Sequence, residues 1–146
     1  MKLEILYATQ TGNAEEVAQN LSSLAKSKGF RVNINEMNHY NMDQFRKLKN
    51  VAIVTSTYGE GEVLEMGIEF WKDLESSSIK ISNLKYGLIA LGDRSHEIFC
   101  GAGKAISKKL EELDGKKVIE NLECDGDTEG TQEWSDKFLD ILKSKN

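Results

Sequence analysis

Apolar residues recur with two different periods along the chain, five strand-type runs alternating with five helix-type runs. The run KLEILYA (residues 2–8) has strand length, and AEEVAQNLSSLAKSKG (14–29) carries Val17, Leu21, Leu24 and Ala25 at helical spacing before stopping on Lys28 and Gly29. FRVNINEM (30–37) alternates as a half-exposed strand does, and MDQFRKL (42–48) reads as a short helix with Asp43 near its first turn. NVAIVTST (50–57) is apolar from Val51 up to Thr55, the pattern of a strand buried on both faces. MGIEFWKDLESS (66–77) is the next helix, LKYGLIALG (84–92) the fourth strand, GAGKAISKKLEELDG (101–115) a helix closed by glycine and KKVIENLEC (116–124) a fifth strand. EGTQEWSDKFLDILKSK (129–145) ends the series as a helix with Trp134, Phe138, Ile141 and Leu142 on one stripe.

Strand, helix, strand units with doubly buried central strands imply a parallel sheet with helices on both faces, an α/β fold of three layers. Ligands of such folds sit outside the carboxyl ends of the strands, where the direction of winding switches. The loops after strands one, three and four are therefore the places to look for chemistry. They read ATQTGNA, STYGEGEVLE and GDRSHEIFCGAG.

Composition narrows the classes of function. A chain of 146 residues, 39% apolar and 29% charged, can bury a core unaided, so residues 1–146 are expected to form one domain. Lys plus Arg is 19 and Asp plus Glu 24, so the formal charge is 19 − 24 = −5, which disfavours nucleic acid and anionic membranes and favours partners with basic patches. The longest apolar runs, such as VAIV and GLIALG, are too short to span a bilayer, and MKLEILYATQ reads as a first strand rather than a leader. A cytoplasmic location is the default expectation. Cys100 and Cys124 lie far apart without CxxC spacing, so both are expected to be free thiols, Cys100 buried, and no metal site is expected.

The first loop admits two readings. Thr9, Thr11 and Asn13 can each cap a helix, a task that needs only one of them. Alternatively, the hydroxyls of Thr9 and Thr11, the side chains of Gln10 and Asn13 and successive N–H groups at a helix N-terminus form a phosphate cradle without lysine, Gly12 permitting the tight turn. GAGKAIS is no P-loop, because the first required glycine falls on Ile98 and Ala105 follows Lys104; no G-x-G-x-x-G follows the first strand either. In the second loop Tyr58, beside Gly59 and Gly61, is either an ordinary turn residue or a platform for a flat ligand, a ring stack contributing roughly 0.5–1.5 kcal/mol beyond area burial. Gly59 can turn its peptide over at low cost, presenting a carbonyl or an N–H by turns. In the third loop, N–H groups around Asp93 and Cys100 can read the edge of a planar heterocycle, while a lone loop histidine such as His96 is more often a surface residue than a catalyst or ligand. The absence of a Ser, His and acid constellation argues against a hydrolase.

Together, TQTGNA, STYGEGE and LGDRSHEIFCGAGKAISKKLEEL resemble the phosphate loop and the two isoalloxazine loops of short-chain flavodoxins. They are also similar to the FMN domains of diflavin reductases such as the sulfite reductase flavoprotein, in order and spacing over nearly the whole chain. The resemblance implies a flavodoxin-like fold with a five-stranded sheet in the order 2-1-3-4-5, non-covalent FMN, and one-electron transfer through the flavin semiquinone. Carried over by position, Thr9, Gln10, Thr11, Gly12, Asn13 and Ala14 enclose the phosphate, with Ser56 and Thr57 adding contacts. Tyr58 and Gly59 meet the ring, the Gly59 carbonyl turning toward flavin N5 on reduction, and Leu91, Gly92, Asp93 and Cys100 address its pyrimidine edge. Glu60, His96 and Phe99 complete the cofactor-binding set in the same loops. Two positions depart from the family's habit: Ala14 stands where many flavodoxins carry threonine, and His96 where an outer stacking tyrosine is usual.

The charges agree with a low-potential carrier. Glu60, Glu62, Glu65, Asp93, Glu97, Asp125 and Asp127 fall in or near the three loops. Each unit charge opposes the anionic reduced flavin by ~1 kcal/mol or more, on the order of 40 mV for one electron; Arg94 and a protonated His96 act the other way. The expected function is a monomeric carrier shuttling electrons between a donor of the flavodoxin/ferredoxin reductase type and an acceptor enzyme, both presenting basic docking surfaces. Two other readings are a small FMN-dependent reductase, for which His96 is the only candidate proton donor, and a dedicated redox activator. With no nicotinamide-binding module after residue 146, a self-sufficient diflavin reductase is not expected.

Overall fold

The computed structural model describes residues 1–9, 12–58, 62–63, 65–92, 101–125 and 127–144, with backbone alone for 57, 58, 62, 63, 65 and 66. In chain order the elements are β1 (Lys2–Ala8), α1 (Asn13–Ser27), β2 (Arg31–Glu36), α2 (Met42–Phe45), β3 (Asn50–Tyr58), β4 (Glu62–Val63), α3 (Glu65–Ser76), β5 (Lys85–Gly92), α4 (Gly101–Glu112), β6 (Lys116–Lys117), β7 (Leu122–Asp125) and α5 (Thr131–Ser144). The parallel sheet runs β2-β1-β3-β5, and β6 and β7 share the next place along β5. This is the expected order 2-1-3-4-5, because β5 is the fourth long strand.

Alternation along the strands feeds two cores. Leu6, Ala8, Val51, Ile53, Leu88 and Ala90 face Phe70 and Leu74 of α3 and Ile106 and Leu110 of α4. The opposite pleat, Leu3, Ile5, Ala52, Val54, Ile89 and Leu91, faces Val17 and Leu21 of α1 and Phe138 and Leu139 of α5. Central strands buried on both sides explain the near-continuous apolar runs. Among the described residues no helix is long and apolar enough to cross a membrane.

The expected fifth strand over 116–124 is two strands. Tyr86 pairs with Lys117 and Ile89 with Leu122, so five steps on the edge chain match three on β5. The two surplus residues leave the ladder, and the indole of Trp134 donates to the carbonyl of Glu120 in the displaced segment at 2.9 Å. A second unforeseen element is β4, which pairs antiparallel with β3 through Thr57 with Val63 and Tyr58 with Glu62. The stripe of α5 also shifts: Leu139 is fully buried, whereas Ile141 is only partly so. Positions 134, 138 and 142 lie four apart, and the stripe they define leans toward 135 and 139.

Gly115 closes the turn after α4 by close approach rather than by a left-handed conformation. The left-handed residue is Asp114, at φ 70°, while the Gly115 N–H reaches back to the Leu110 carbonyl at 2.8 Å. A Cβ on Gly115 would lie 2.9 Å from that oxygen, so this glycine serves close approach rather than a positive φ.

Three buried acids of high pKa tie the fold to alkaline stability. The Tyr40 hydroxyl donates to Glu4 Oε2 at 2.5 Å and accepts from Asn35 Nδ2 at 3.1 Å; burial, then the bond to Glu4, push its pKa up to about 12. Burial likewise pushes Tyr86, beside Ser107, up to about 12 and the Cys124 thiol up to about 11, the latter aided by Asp127 and Glu129. Each group keeps its proton in the folded chain after the unfolded chain has lost it, so its contribution is complete below the unfolded pKa and fades as pH rises. Each costs ~1.4 kcal/mol per pH unit within its own window. Urea midpoints are expected to hold level up to about pH 9 and then fall steeply; in Tyr40→Phe the slope above about pH 10 should be shallower.

Candidate functional site

The carboxyl edge of the sheet forms a single row. Ala8 pairs with Thr55, Ser56 with Leu91, Leu91 with Cys124 and Gly92 with Asp125, so the ends of β1, β3, β5 and β7 emerge side by side. The chain leaves β1 toward β2 on one side and returns to β3 on the other, which makes the space above β1 and β3 the switch point of the sheet. Thr9 and Ser56 flank it, both partly buried.

At that point the described part of the first loop combines features of both readings of its sequence. The N-cap of α1 is Gly12, left-handed at φ 94°, and no side chain of the cap itself accepts a bond. Thr9 caps from outside instead: its Oγ1 accepts the Gly12 N–H at 2.8 Å and the Ala14 N–H at 3.3 Å. The expectation of Thr9 as a cap is thus met in an unusual form, whereas Asn13 is the first helical residue rather than the cap. A Cβ at Gly12 would meet nothing within 4 Å, so the ground above the turn is open. An anionic oxygen taking the place of the Thr9 hydroxyl would meet two converging N–H groups at a helix N-terminus, and this donor set fits a phosphate. Ala14 is fully buried against the core under α1, so it offers its N–H and no hydroxyl.

The other strand ends arrive with equal economy. Thr55 is fully buried and Leu91 nearly so, while Gly92 closes β5 with partial exposure. The backbone of Thr57 and Tyr58 is held by the antiparallel pairing with Val63 and Glu62 of β4. Gln10, Thr11, Gly59, Glu60, Asp93, His96, Phe99 and Cys100 lie outside the described residues. The structure therefore brings together Thr9, Gly12, Asn13, Ala14, Ser56, Leu91 and Gly92, with the backbone of Thr57 and Tyr58.

One position that shapes this edge escapes the sequence reading. A Cβ on Gly103 would lie 2.7 Å from the Ala90 Cβ, so this glycine lets the first turn of α4 lie directly on β5. The signal was present in GAGKAIS, a glycine in the first turn of a helix that follows a buried strand. The charge around the edge is negative: Glu15 and Glu16 occupy the first turn of α1, Asp125 ends β7 and Asp127 and Glu129 follow it, all exposed. Cys124 is a free, buried thiol whose Sγ lies 3.5 Å from the Glu129 carbonyl. Its raised pKa keeps it protonated and unreactive at neutral pH.

The family profile described as Flavodoxin matches residues 5–138. The chain is 42% identical over 144 residues, 97% of its length, to the sulfite reductase [NADPH] flavoprotein alpha-component of Vibrio parahaemolyticus, covering 23% of that protein. It spans about a quarter of the curated relatives it matches. Among solved structures, the flavodoxin of Streptococcus pneumoniae superposes with a TM-score of 0.87 at 24% identity, each chain covered over 100% of its length. A cysteine-to-alanine variant of the flavodoxin from Pseudomonas aeruginosa gives 0.85 at 26% identity, with 98% of this chain and 99% of that one covered. The order of the sheet, the converging donors at its switch point and these likenesses lead to one conclusion: the chain belongs to the flavodoxin family of FMN-binding electron-transfer proteins.

Proposed function

We propose that this chain is a low-potential one-electron carrier that takes electrons from a reductase and hands them to acceptor proteins. When bound, FMN supplies a centre that accepts and returns electrons one at a time. The observation that carries the reading is the pair of N–H groups, from Gly12 and Ala14, converging on one oxygen at the switch point. In this reading Thr9, Gln10, Thr11, Gly12, Asn13 and Ala14 hold the phosphate with Ser56 and Thr57. Tyr58, Gly59, Leu91, Gly92, Asp93 and Cys100 hold the ring, with Glu60, His96 and Phe99 around it. Neutral donors leave the phosphate charge uncompensated, and the exposed acids at the same edge add to it, so electron uptake is disfavoured and the potential stays low. The same acids suit donors and acceptors that dock through basic faces.

Titration of flavin-free protein with FMN, riboflavin and FAD tests the reading. Two N–H bonds to a charged phosphate at ~1.5–3 kcal/mol each make riboflavin weaker than FMN by at least about a hundredfold. A preference for FAD, or equal affinity for riboflavin, would overturn it. Tyr58→Ala is expected to weaken FMN by about tenfold, more than His96→Ala does, since a phenol ring covers more flavin than an imidazole. Equal and negligible losses would remove both residues from the ring site.

A further inference from the structure

The opposite end of the sheet has the opposite charge. Each of its five strand positions begins with a cation: Arg31 pairs with Lys2, Lys85 with Lys116, and Lys49 passes its carbonyl to the Lys85 N–H at 2.7 Å just before β3. The registers of β1 with β2 and β3 put Arg31, Lys2 and Lys49 on one pleat face, on neighbouring strands about 4.8 Å apart. Lys85 and Lys116 occupy the other face of the same edge. Beside Lys2 and Lys49 opens a hollow of about 440 Å³ lined by Met1, Lys2, Glu4, Lys47, Leu48, Lys49 and Asn50. Its apolar side is Met1, 43% exposed, with Leu48. Glu4 is the one acid in it, and that carboxylate already receives Tyr40, Asn33 and, at 3.6 Å, Lys2.

We propose that this edge is a docking surface for an acidic helical segment of a partner protein. The spacing selects a helix: carboxylates three or four residues apart on a helix face lie about 5–6 Å apart, close to the pitch of the cation row. On an extended strand, same-face side chains lie about 6.6 Å apart and slip out of step. An apolar residue beside the acids enters the hollow by Met1 and Leu48. A chain of net charge −5 is repelled by nucleic acid and anionic lipid except at this narrow strip, so a compact acidic element is the better fit. The row lies one strand length, about 20 Å, from the carboxyl edge. A partner seated here tethers the protein and leaves the opposite edge open to a redox partner. That role, though not the binding itself, rests on the electron-carrier reading.

The test uses flavin-free protein at low ionic strength, so its outcome is independent of FMN binding. A fluorescent helical peptide with glutamates aligned every four residues around one leucine is compared with a scrambled peptide of the same composition. The aligned peptide is expected to bind about tenfold more tightly than the scrambled one. Replacing Lys2, Arg31 and Lys49 together by Gln should weaken it about tenfold, while Lys72→Gln, Lys108→Gln and Lys137→Gln together, the same change in net charge, should leave it unaltered. Circular dichroism melts of both triple variants establish that they are folded. Equal affinity for the two peptides, equal weakening in the two triple variants, or tighter binding to phosphatidylglycerol vesicles than to the aligned peptide would each overturn the proposal.

Discussion

Phe138→Ala is expected to lower the unfolding free energy by ~3–5 kcal/mol, a large share of what a domain of this size possesses. The ring is fully buried, stacks on Trp134 with centroids 5.0 Å apart and planes 16° from parallel, and covers Gly87 of β5. Because the floor beneath it is a glycine, no side chain on that side can move in to fill the void, which places the cost in the upper part of the range. The converse change probes the same contact. A Cβ on Gly87 would sit 2.7 Å from two ring atoms of Phe138 and 2.8 Å from Trp134, so Gly87→Ala overpacks the same spot at a cost of ~1–3 kcal/mol. Combining the two should be less harmful than the sum, since the added methyl enters the space the ring vacates. Urea unfolding of the two single variants and the double variant measures this; strict additivity would mean that the two sites do not share the space.

Gly12→Val is expected to weaken FMN binding by ~10–100-fold while changing the stability of the flavin-free protein by no more than ~1–2 kcal/mol. Gly12 sits at φ 94°, a conformation that a β-branched residue reaches only under strain. A free loop can relax away from it, with α1 fraying by a residue. Bound phosphate removes that freedom, because the Gly12 and Ala14 N–H groups must converge again. The strain therefore appears mainly in the dissociation constant. Fluorescence titration against FMN, paired with urea unfolding of the flavin-free protein, separates the two. A large loss of stability with unchanged affinity would show that the turn serves the helix alone.

Most of the architecture was legible because the two central cores impose their periods on long elements. The strands over 2–8, 50–57 and 84–92 and the major helices emerge close to the expected limits. What escaped were features whose cause lies in another part of the chain. The break at 118–121 depends on the register of an edge strand against β5 and on Trp134, and nothing within KKVIENLEC marks it. β4 is two residues long, too short to show a period, and YGEGE reads locally as loop. Glycine was expected to close α4, and the Gly115 N–H does reach back to Leu110, but the left-handed φ falls on Asp114 while Gly115 serves the close approach. For the site, TQTGNA announced polar donors at a helix start, but not that Thr9 would gather the N–H groups of residues three and five positions further on. That convergence is a property of the turn's geometry and of the left-handed Gly12.

Stepwise reduction of the FMN-loaded protein at controlled potential, followed by its absorption spectrum, tests the carrier reading most directly. The expected result is two separate one-electron steps, the second at low potential, with negligible turnover of NAD(P)H by the protein alone. A single two-electron step accompanied by NAD(P)H turnover would contradict it and make the chain a flavin-dependent reductase.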